Sequence, residues 1–316
     1  MLLFKENYTL KYLITGAAFI DNIVYPDGRR IDKIKGGCGI YAYSGVKLFE
    51  DDCQLVLGIG KDFEELYGDW FDENGVSRDG LFVKDEHTAQ TVLTYEANGH
   101  YTSKNIYSGK HGYHNPALAL SMEELGPLLS ENVKGIYLQS DIFGNYGEAY
   151  DLKEKYGYRI MWEIPAWLGP DYRPTLEKTV AKCDIWSLNI KESFDIFEVD
   201  AKEDAIKAIQ SLGVPCFYRV GETGSYMVMP DEAFFMPSVK FTPEDGDTDP
   251  TGCGNCSTAA AMWAFCEGKA PKEICAFANV AAGYNARQHG PYPRLREVRD
   301  QAYFYAEKIY NDLKEL

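Results

Sequence analysis

Short apolar runs alternate with helically periodic stretches along most of this chain. Tyr12-Leu-Ile-Thr-Gly16 is an apolar run closed by glycine and predicts a buried strand. Leu55-Val-Leu-Gly-Ile-Gly60 predicts a second, and the apolar-periodic segment Ile40–Phe49, opened by Gly36-Gly37-Cys38-Gly39, predicts a helix between them. After residue 115 the alternation becomes regular. Strands are predicted at 135–139, 159–163, 184–189 and 214–220, with helices near 146–155, 174–181 and 202–212 between them. Ser121-Met-Glu-Glu124 is a capping box that starts a helix. Helices close the chain at about 254–266, 271–288 and 296–314, and Val239-Lys-Phe241 is a short strand candidate just before them.

Two stretches break this rhythm. Residues 22–35 carry the turn signal Pro26-Asp27-Gly28 between two short strands. Thr91-Val-Leu-Thr-Tyr-Glu and Tyr101-Thr-Ser-Lys-Asn-Ile-Tyr flank Asn98-Gly99, a strong hairpin signal. Together they predict a small separate β-sheet on an α/β body, whose strands form a mostly parallel, doubly wound sheet with helices on both faces. One domain spanning 1–316 is expected, with insertions at about 22–36 and 88–110 forming a lid.

Composition narrows the function. The chain has 316 residues, 45% hydrophobic and 25% charged, which suits a globular protein with a sizeable core. Its 32 basic and 48 acidic residues leave a net charge of −16, which disfavours nucleic acid and anionic membranes as partners. No apolar run approaches the ~20 residues of a membrane span, and the first residues lack a signal-peptide pattern. A cytoplasmic location with eight reduced cysteines is expected.

The richest stretch for chemistry is Asp247-Thr-Asp-Pro-Thr-Gly-Cys-Gly-Asn-Cys-Ser257, directly before an Ala-rich helix. Its glycines let backbone N–H groups approach a ligand, and the helix N-terminus adds roughly half a positive charge. A phosphate, or negative charge developing during a reaction, would fit there; a Gly-rich loop that only caps a helix is the plainer alternative.

Asp249-Pro250-Thr251-Gly252-Cys253-Gly254-Asn255 resembles the D-T-T-G-A-G-D signature of the ribokinase/PfkB carbohydrate kinase family. Supporting matches run from residue 12 to 290. Asp21 looks like the family's sugar-hydroxyl ligand, and Gly36-Gly37 like its di-glycine motif. Asn189-Ile-Lys-Glu192 matches N-x-x-E, which organises Mg2+ and phosphates. Gly221-Glu-Thr-Gly224 matches the G-x-x-G near the nucleotide, and the segment holding Asn279 looks like the helix beside adenine. The resemblance implies ATP- and Mg2+-dependent phosphoryl transfer to a sugar hydroxyl beneath a β-sheet lid. It also implies an anion hole at Gly252, Cys253 and Gly254, K+ near the Asp249–Thr251 backbone and a homodimer through the lids.

Three departures bear on activity. Asn255 stands where the family's Asp takes the proton of the attacking hydroxyl, and an amide is no useful base at neutral pH. Asn255 is therefore read as an engineered replacement in an active kinase, as a natural feature of a weakly active or non-catalytic relative, or as compensated by another carboxylate such as Asp245, Asp247 or Asp249. Arg219 stands where many relatives carry Thr before G-x-x-G, and Tyr41 where ribose-type members carry Asn. A nucleoside kinase on the same fold and a non-catalytic sugar- or nucleotide-binding relative stay open beside the sugar kinase.

Other signals carry less. Cys253-x-x-Cys256 lacks a second ligand pair for zinc, although a thiol at a helix N-terminus can acquire a lowered pKa. Asp245-x-Asp247-x-Asp249 lacks the Gly and final Glu of a calcium loop. Gly252-x-Gly254-x-x-Ser257 lacks the third Gly of a dinucleotide fingerprint. His111 and His114 read as polar surface or lid residues, and Trp162, Trp167 and Trp186 as core.

Overall fold

Strands rich in Ile, Leu, Val and aromatic residues on both faces can only be buried between two helical layers. The protein, described by a computed structural model over residues 10–96, 101–107, 115–139, 146–165, 168–244 and 248–313, is built that way. In chain order the first part comprises β1 (Tyr12–Thr15), β2 (Phe19–Val24), β3 (Arg30–Gly36), α1 (Cys38–Lys47), β4 (Cys53–Gly60), α2 (Phe63–Asn74), β5 (Leu81–Asp85), β6 (Ala89–Tyr95) and β7 (Tyr101–Asn105). The alternating part comprises α3 (Met122–Leu125), β8 (Gly135–Gln139), α4 (Gly147–Tyr156), β9 (Arg159–Glu163), α5 (Arg173–Val180), β10 (Ile185–Asn189), α6 (Ile190–Phe197), α7 (Lys202–Gln210), β11 (Cys216–Arg219), β12 (Gly224–Val228) and β13 (Ala233–Pro237). The last helices are α8 (Cys253–Cys266), α9 (Pro271–Asn285) and α10 (Leu295–Leu313).

The large sheet has nine strands in the order β13-β12-β11-β10-β9-β8-β1-β4-β5. Every pair from β11 to β5 is parallel, while β12 and β13 extend it antiparallel at one edge. Period-two alternation splits its side chains between two cores. Tyr12, Ile14, Tyr137 and Met161 pack toward α1, α8, α9 and α10. Leu13, Ile136, Leu138, Ile160, Trp162 and Trp186 pack toward the helices between 122 and 210. The second sheet, β3-β2-β6-β7, takes its strands from the two predicted insertions, with β2 starting already at Phe19. Asn98 and Gly99 lie outside the described residues.

Two readings need correction. Val239–Phe241 is irregular chain, not a strand; Pro237 and Pro243 bracket it, and neither can donate to a ladder. Phe241 instead packs on Tyr284, ring centroids 4.7 Å apart. The edge hairpin β12–β13 lies upstream, so α8 follows a loop. The segment after β10 also continues as a helix, because Asn189 and Glu192 form a capping box: Asn189 Oδ1 accepts from Glu192 N at 2.9 Å, and Glu192 Oε2 accepts from Asn189 N at 2.7 Å.

Helix α8 reaches its place by close approach to α1. A Cβ on Gly45 would lie 2.0 Å from the Cys256 carbonyl oxygen. Ala259, Ala260 and Ala261 are buried alongside, so small residues let the two helices nearly touch. Gly45→Ala is expected to lower the urea midpoint by the equivalent of about 1–3 kcal/mol, since a rigid backbone carbonyl has to move. Asp51, at the end of α1, pairs with Lys47 at 2.7 Å, Arg299 at 2.6 Å and Arg296 at 3.2 Å. The Arg299 hydrogen bond, ahead of the pull from Lys47, holds its carboxyl well below the usual range. Its stabilisation is thus present above the unfolded pKa of ~3.9 and lost as pH falls through the lower folded value. Acid unfolding of wild type and Asp51→Asn, followed by circular dichroism, should show the variant less stable at pH 7 and the gap closing below pH ~4.

Candidate active site

The N-terminus of α8 sits at the carboxyl ends of the parallel strands, where such sheets place their ligands. Gly252, its N-cap, has φ 78°, a left-handed conformation suited to glycine. A Cβ there would fall 2.1–2.4 Å from the ring of Tyr41, which lies flat against it. The first N–H groups of a helix have no intrahelical partner. That of Cys253, one of the three residues expected to form the anion hole, donates instead to the Pro250 carbonyl at 3.1 Å.

Arg219, at the end of β11, fills the space beside them. A Cβ on Gly254 would lie 2.2 Å from its NH1. Its NH2 pairs with Glu163 Oε1 at 3.0 Å and approaches Glu192 Oε2 at 3.7 Å, and its Nε is buried with no hydrogen-bond partner. Glu163 and Glu192 balance this guanidinium, which lies next to the positive end of the helix.

Glu163 ends β9, and sequence reasoning overlooked it. Two residues after Met161, it points to the α8 face by strand alternation. Its Oε2 accepts from the Tyr137 hydroxyl and from Asn255 Nδ2 at 3.1 Å, while Asn255 Nδ2 stands 3.4 Å from Tyr137 Oη. Burial, reinforced by Glu163, keeps the Tyr137 phenol protonated and donating. The available signal was a carboxylate closing an otherwise apolar strand at its carboxyl end. Asp245 and Asp247 lie outside the described residues. Asp249 is buried, and its Oδ1 accepts from Thr251 N at 2.9 Å.

On the small-sheet side, Asp21 is buried on β2. Its Oδ1 accepts from Thr91 Oγ1 of β6 at 2.5 Å. Burial pushes its carboxyl up, and the Thr91 hydrogen bond opposes this. A Cβ on Gly36 would come 3.2 Å from Asp21 Oδ2 and 3.3 Å from Tyr41 Oη, while Gly37, φ 101°, would meet the Ala17 carbonyl at 2.4 Å. Tyr41 therefore links Asp21 and Gly36 to Gly252, and its hydroxyl is buried without a partner. The structure brings Asp21, Gly36, Gly37, Tyr41 and Gly252 into one cluster, joined to Asn255 through the α8 terminus.

The remaining candidates serve the frame. Asn189 caps α6; burial pushes the Glu192 carboxyl up against the pull of Arg219. Gly221 has φ 65° with open space around it, and Gly224 packs where a Cβ would lie 2.2 Å from the Met236 carbonyl. Asn279 bonds Ser225 Oγ at 2.8 Å and donates to the carbonyls of Met236 and Pro237, fixing the sheet edge. The carbonyl of Thr251 accepts from Asn285 Nδ2 at 2.8 Å. Burial pushes the Cys253 thiol up to about 11, contrary to the lowered value expected at a helix N-terminus. Among the described residues no group of three or more His, Cys, Asp and Glu could hold a metal; His111, His114 and Trp167 are not among them. Magnesium held chiefly by phosphate oxygens and water, with Glu192 behind it, fits this donor set. No helix among the described residues is long and apolar enough to cross a membrane.

The fold resembles those of known kinases. The structure of an adenosine kinase from Sinorhizobium meliloti superposes with a TM-score of 0.76 at 18% identity, covering 93% of this chain and 99% of that one. An Escherichia coli structure named as a ribokinase II, in complex with ATP and Mg2+, gives 0.74 at 17% identity, covering 93% and 99%. An uncharacterised protein of Schizosaccharomyces pombe is 23% identical over 97% of this chain and 92% of its own length. The family model for pfkB family carbohydrate kinases matches residues 11–297. With its Gly-rich helix terminus, di-glycine cluster and doubly wound sheet, the chain belongs to the pfkB family of carbohydrate kinases.

Proposed function

We propose that this protein transfers the γ-phosphoryl group of ATP to a hydroxyl of a sugar, free or as the ribose of a nucleoside, and does so slowly because Asn255 stands at the base position. The observation that carries this reading is the α8 terminus, where Gly254 meets the Arg219 guanidinium, with the Asp21 cluster beside it. Phosphoryl transfer needs positioning and charge stabilisation more than covalent chemistry. Asp21 orients the acceptor: Thr91 holds Oδ1, leaving Oδ2 for a hydroxyl, and the bare Cα of Gly36 keeps that oxygen approachable. Gly254, Asn255 and Arg219 hold the transferring phosphate, with Gly221 and Gly224 on the nucleotide side. Glu192, through water, would hold magnesium, which would supply charge to neutralise the phosphates.

The small sheet acts as a lid that excludes water, so that the sugar and not water accepts the phosphate. A cytoplasmic homodimer joined through the lids completes the reading. The reading places potassium at the Asp249–Thr251 backbone, where the Thr251 carbonyl also accepts from Asn285 Nδ2 at 2.8 Å. A second reading, a non-catalytic sugar or nucleotide binder, is favoured by the amide at position 255 and by Arg219 lying in the anion cradle.

Turnover of MgATP with D-ribose, D-fructose, adenosine and inosine, by wild type and Asn255→Asp side by side, separates the two readings. The Asp variant should be about a hundredfold faster or more with one acceptor, the low end of what a general base supplies. Binding of MgATP or an acceptor by both proteins with turnover by neither would replace the kinase with the binder.

A further inference from the structure

The carboxylate missing from position 255 is present a hydrogen bond away. Glu163 Oε2 is 3.1 Å from Asn255 Nδ2, and the side chain comes from β9, outside the helix-terminus motif. It is buried, and three donors hold it: the Tyr137 hydroxyl and Asn255 Nδ2 on Oε2, and Arg219 NH2 on Oε1. A purely structural ion pair at a site lined by Gly254 needs no unsatisfied Arg219 Nε, yet that donor is buried and unpartnered.

We propose that Glu163 is the general base of this protein's residual phosphoryl transfer, released for that role when Arg219 turns from its Oε1 to the phosphate. This rests on the kinase reading above. Asn255 Nδ2 is committed to Glu163, and an acceptor whose oxygen accepts from the Gly254 N–H keeps its single O–H for the carboxylate. A hydroxyl held there, beside the Gly254 N–H, reaches the Glu163 carboxylate directly or through one water. In the step, the acceptor O–H breaks and its proton goes to Glu163 Oε1. The oxygen forms its bond to the γ-phosphorus, and the bond from that phosphorus to the β,γ-bridging oxygen breaks, its electron pair leaving with ADP. Glu163 then returns the proton to water as Arg219 comes back. The guanidinium leaves Oε1 only for a phosphate, so the base is uncovered only when the nucleotide is in place.

The test is a double-mutant cycle on Glu163→Gln and Asn255→Asp, measured as kcat and KM for MgATP with D-ribose, D-fructose, adenosine and inosine. Melting curves and calorimetric MgATP binding check that each variant is folded. In the Asn255 background, Glu163→Gln should lower kcat about a hundredfold with KM within about threefold. In the Asn255→Asp background the same change should cost less than about fivefold, because the carboxylate introduced at position 255 takes the proton itself and gives Arg219 a new charge partner. The double variant thereby also keeps Arg219 neutralised if Glu163→Gln alone does not fold, and its turnover at or above the wild-type rate supports the proposal. Equal losses from Glu163→Gln in both backgrounds would mean a structural role and overturn it. So would full activity of the single variant, or turnover by Asn255→Asp with none by wild type, and these two outcomes leave the kinase reading standing. Turnover by none of the four proteins removes the kinase reading, and the base with it.

Discussion

A guanidinium buried at the positive end of a helix has to be neutralised, and the centre of this protein is arranged around that requirement. Arg219 meets Glu163 at 3.0 Å and Glu192 at 3.7 Å, all three largely withdrawn from solvent. Losing one partner of such a pair costs roughly 3–5 kcal/mol, because the other is left buried and uncompensated. The pair therefore ties β9, β11 and the start of α6 together at the carboxyl edge of the sheet. It also sets the polarity of the cradle at Gly254, where a cation and a helix dipole both await an anion.

The cradle exists only because α8 is held in register. Gly45 and the buried alanines let α1 and α8 approach until the Cys256 carbonyl lies over the bare Gly45 Cα. Gly252 then turns the chain at φ 78° directly beneath the Tyr41 ring, and Tyr41 in turn reaches Gly36 and Asp21. Backbone approach made possible by missing Cβ atoms thus connects the Asp21 cluster with the α8 terminus. Tyr41 takes up room that a smaller residue would leave open, so the acceptor cluster is narrower than the di-glycine motif alone suggests.

The amide at position 255 does not stand alone. Asn255, Glu163 and Tyr137 form one hydrogen-bonded unit from a helix and two neighbouring strands. The motif residues Asn189 and Glu192 likewise do two jobs, capping α6 while presenting a carboxylate to Arg219. Such double use explains why a motif can be read correctly as a pattern and still hide a local structural role.

Much of the molecule was legible along the chain. Short apolar runs marked the strands from β8 to β11, the Gly-rich turn before an Ala-rich stretch marked the α8 terminus, and Asn98-Gly99 with Pro26-Asp27-Gly28 marked the second sheet. These features are local: side-chain periodicity, turn chemistry and capping act within a few residues. Val239–Phe241 misled because an apolar triplet looks alike whether it joins a ladder or only packs on Tyr284. Glu163 and the destination of Arg219 were out of reach for a different reason. The partners of Glu163 are 26 residues away at Tyr137, 56 at Arg219 and 92 at Asn255, separations that follow from the numbering. No local rule selects among the carboxylates of a chain with 48 acidic residues. The sequence by itself determined most of the strands and helices, the family signature and the amide at 255; only the folded sheet, by stacking strand ends beside the α8 terminus, decided which carboxylate stands next to that amide.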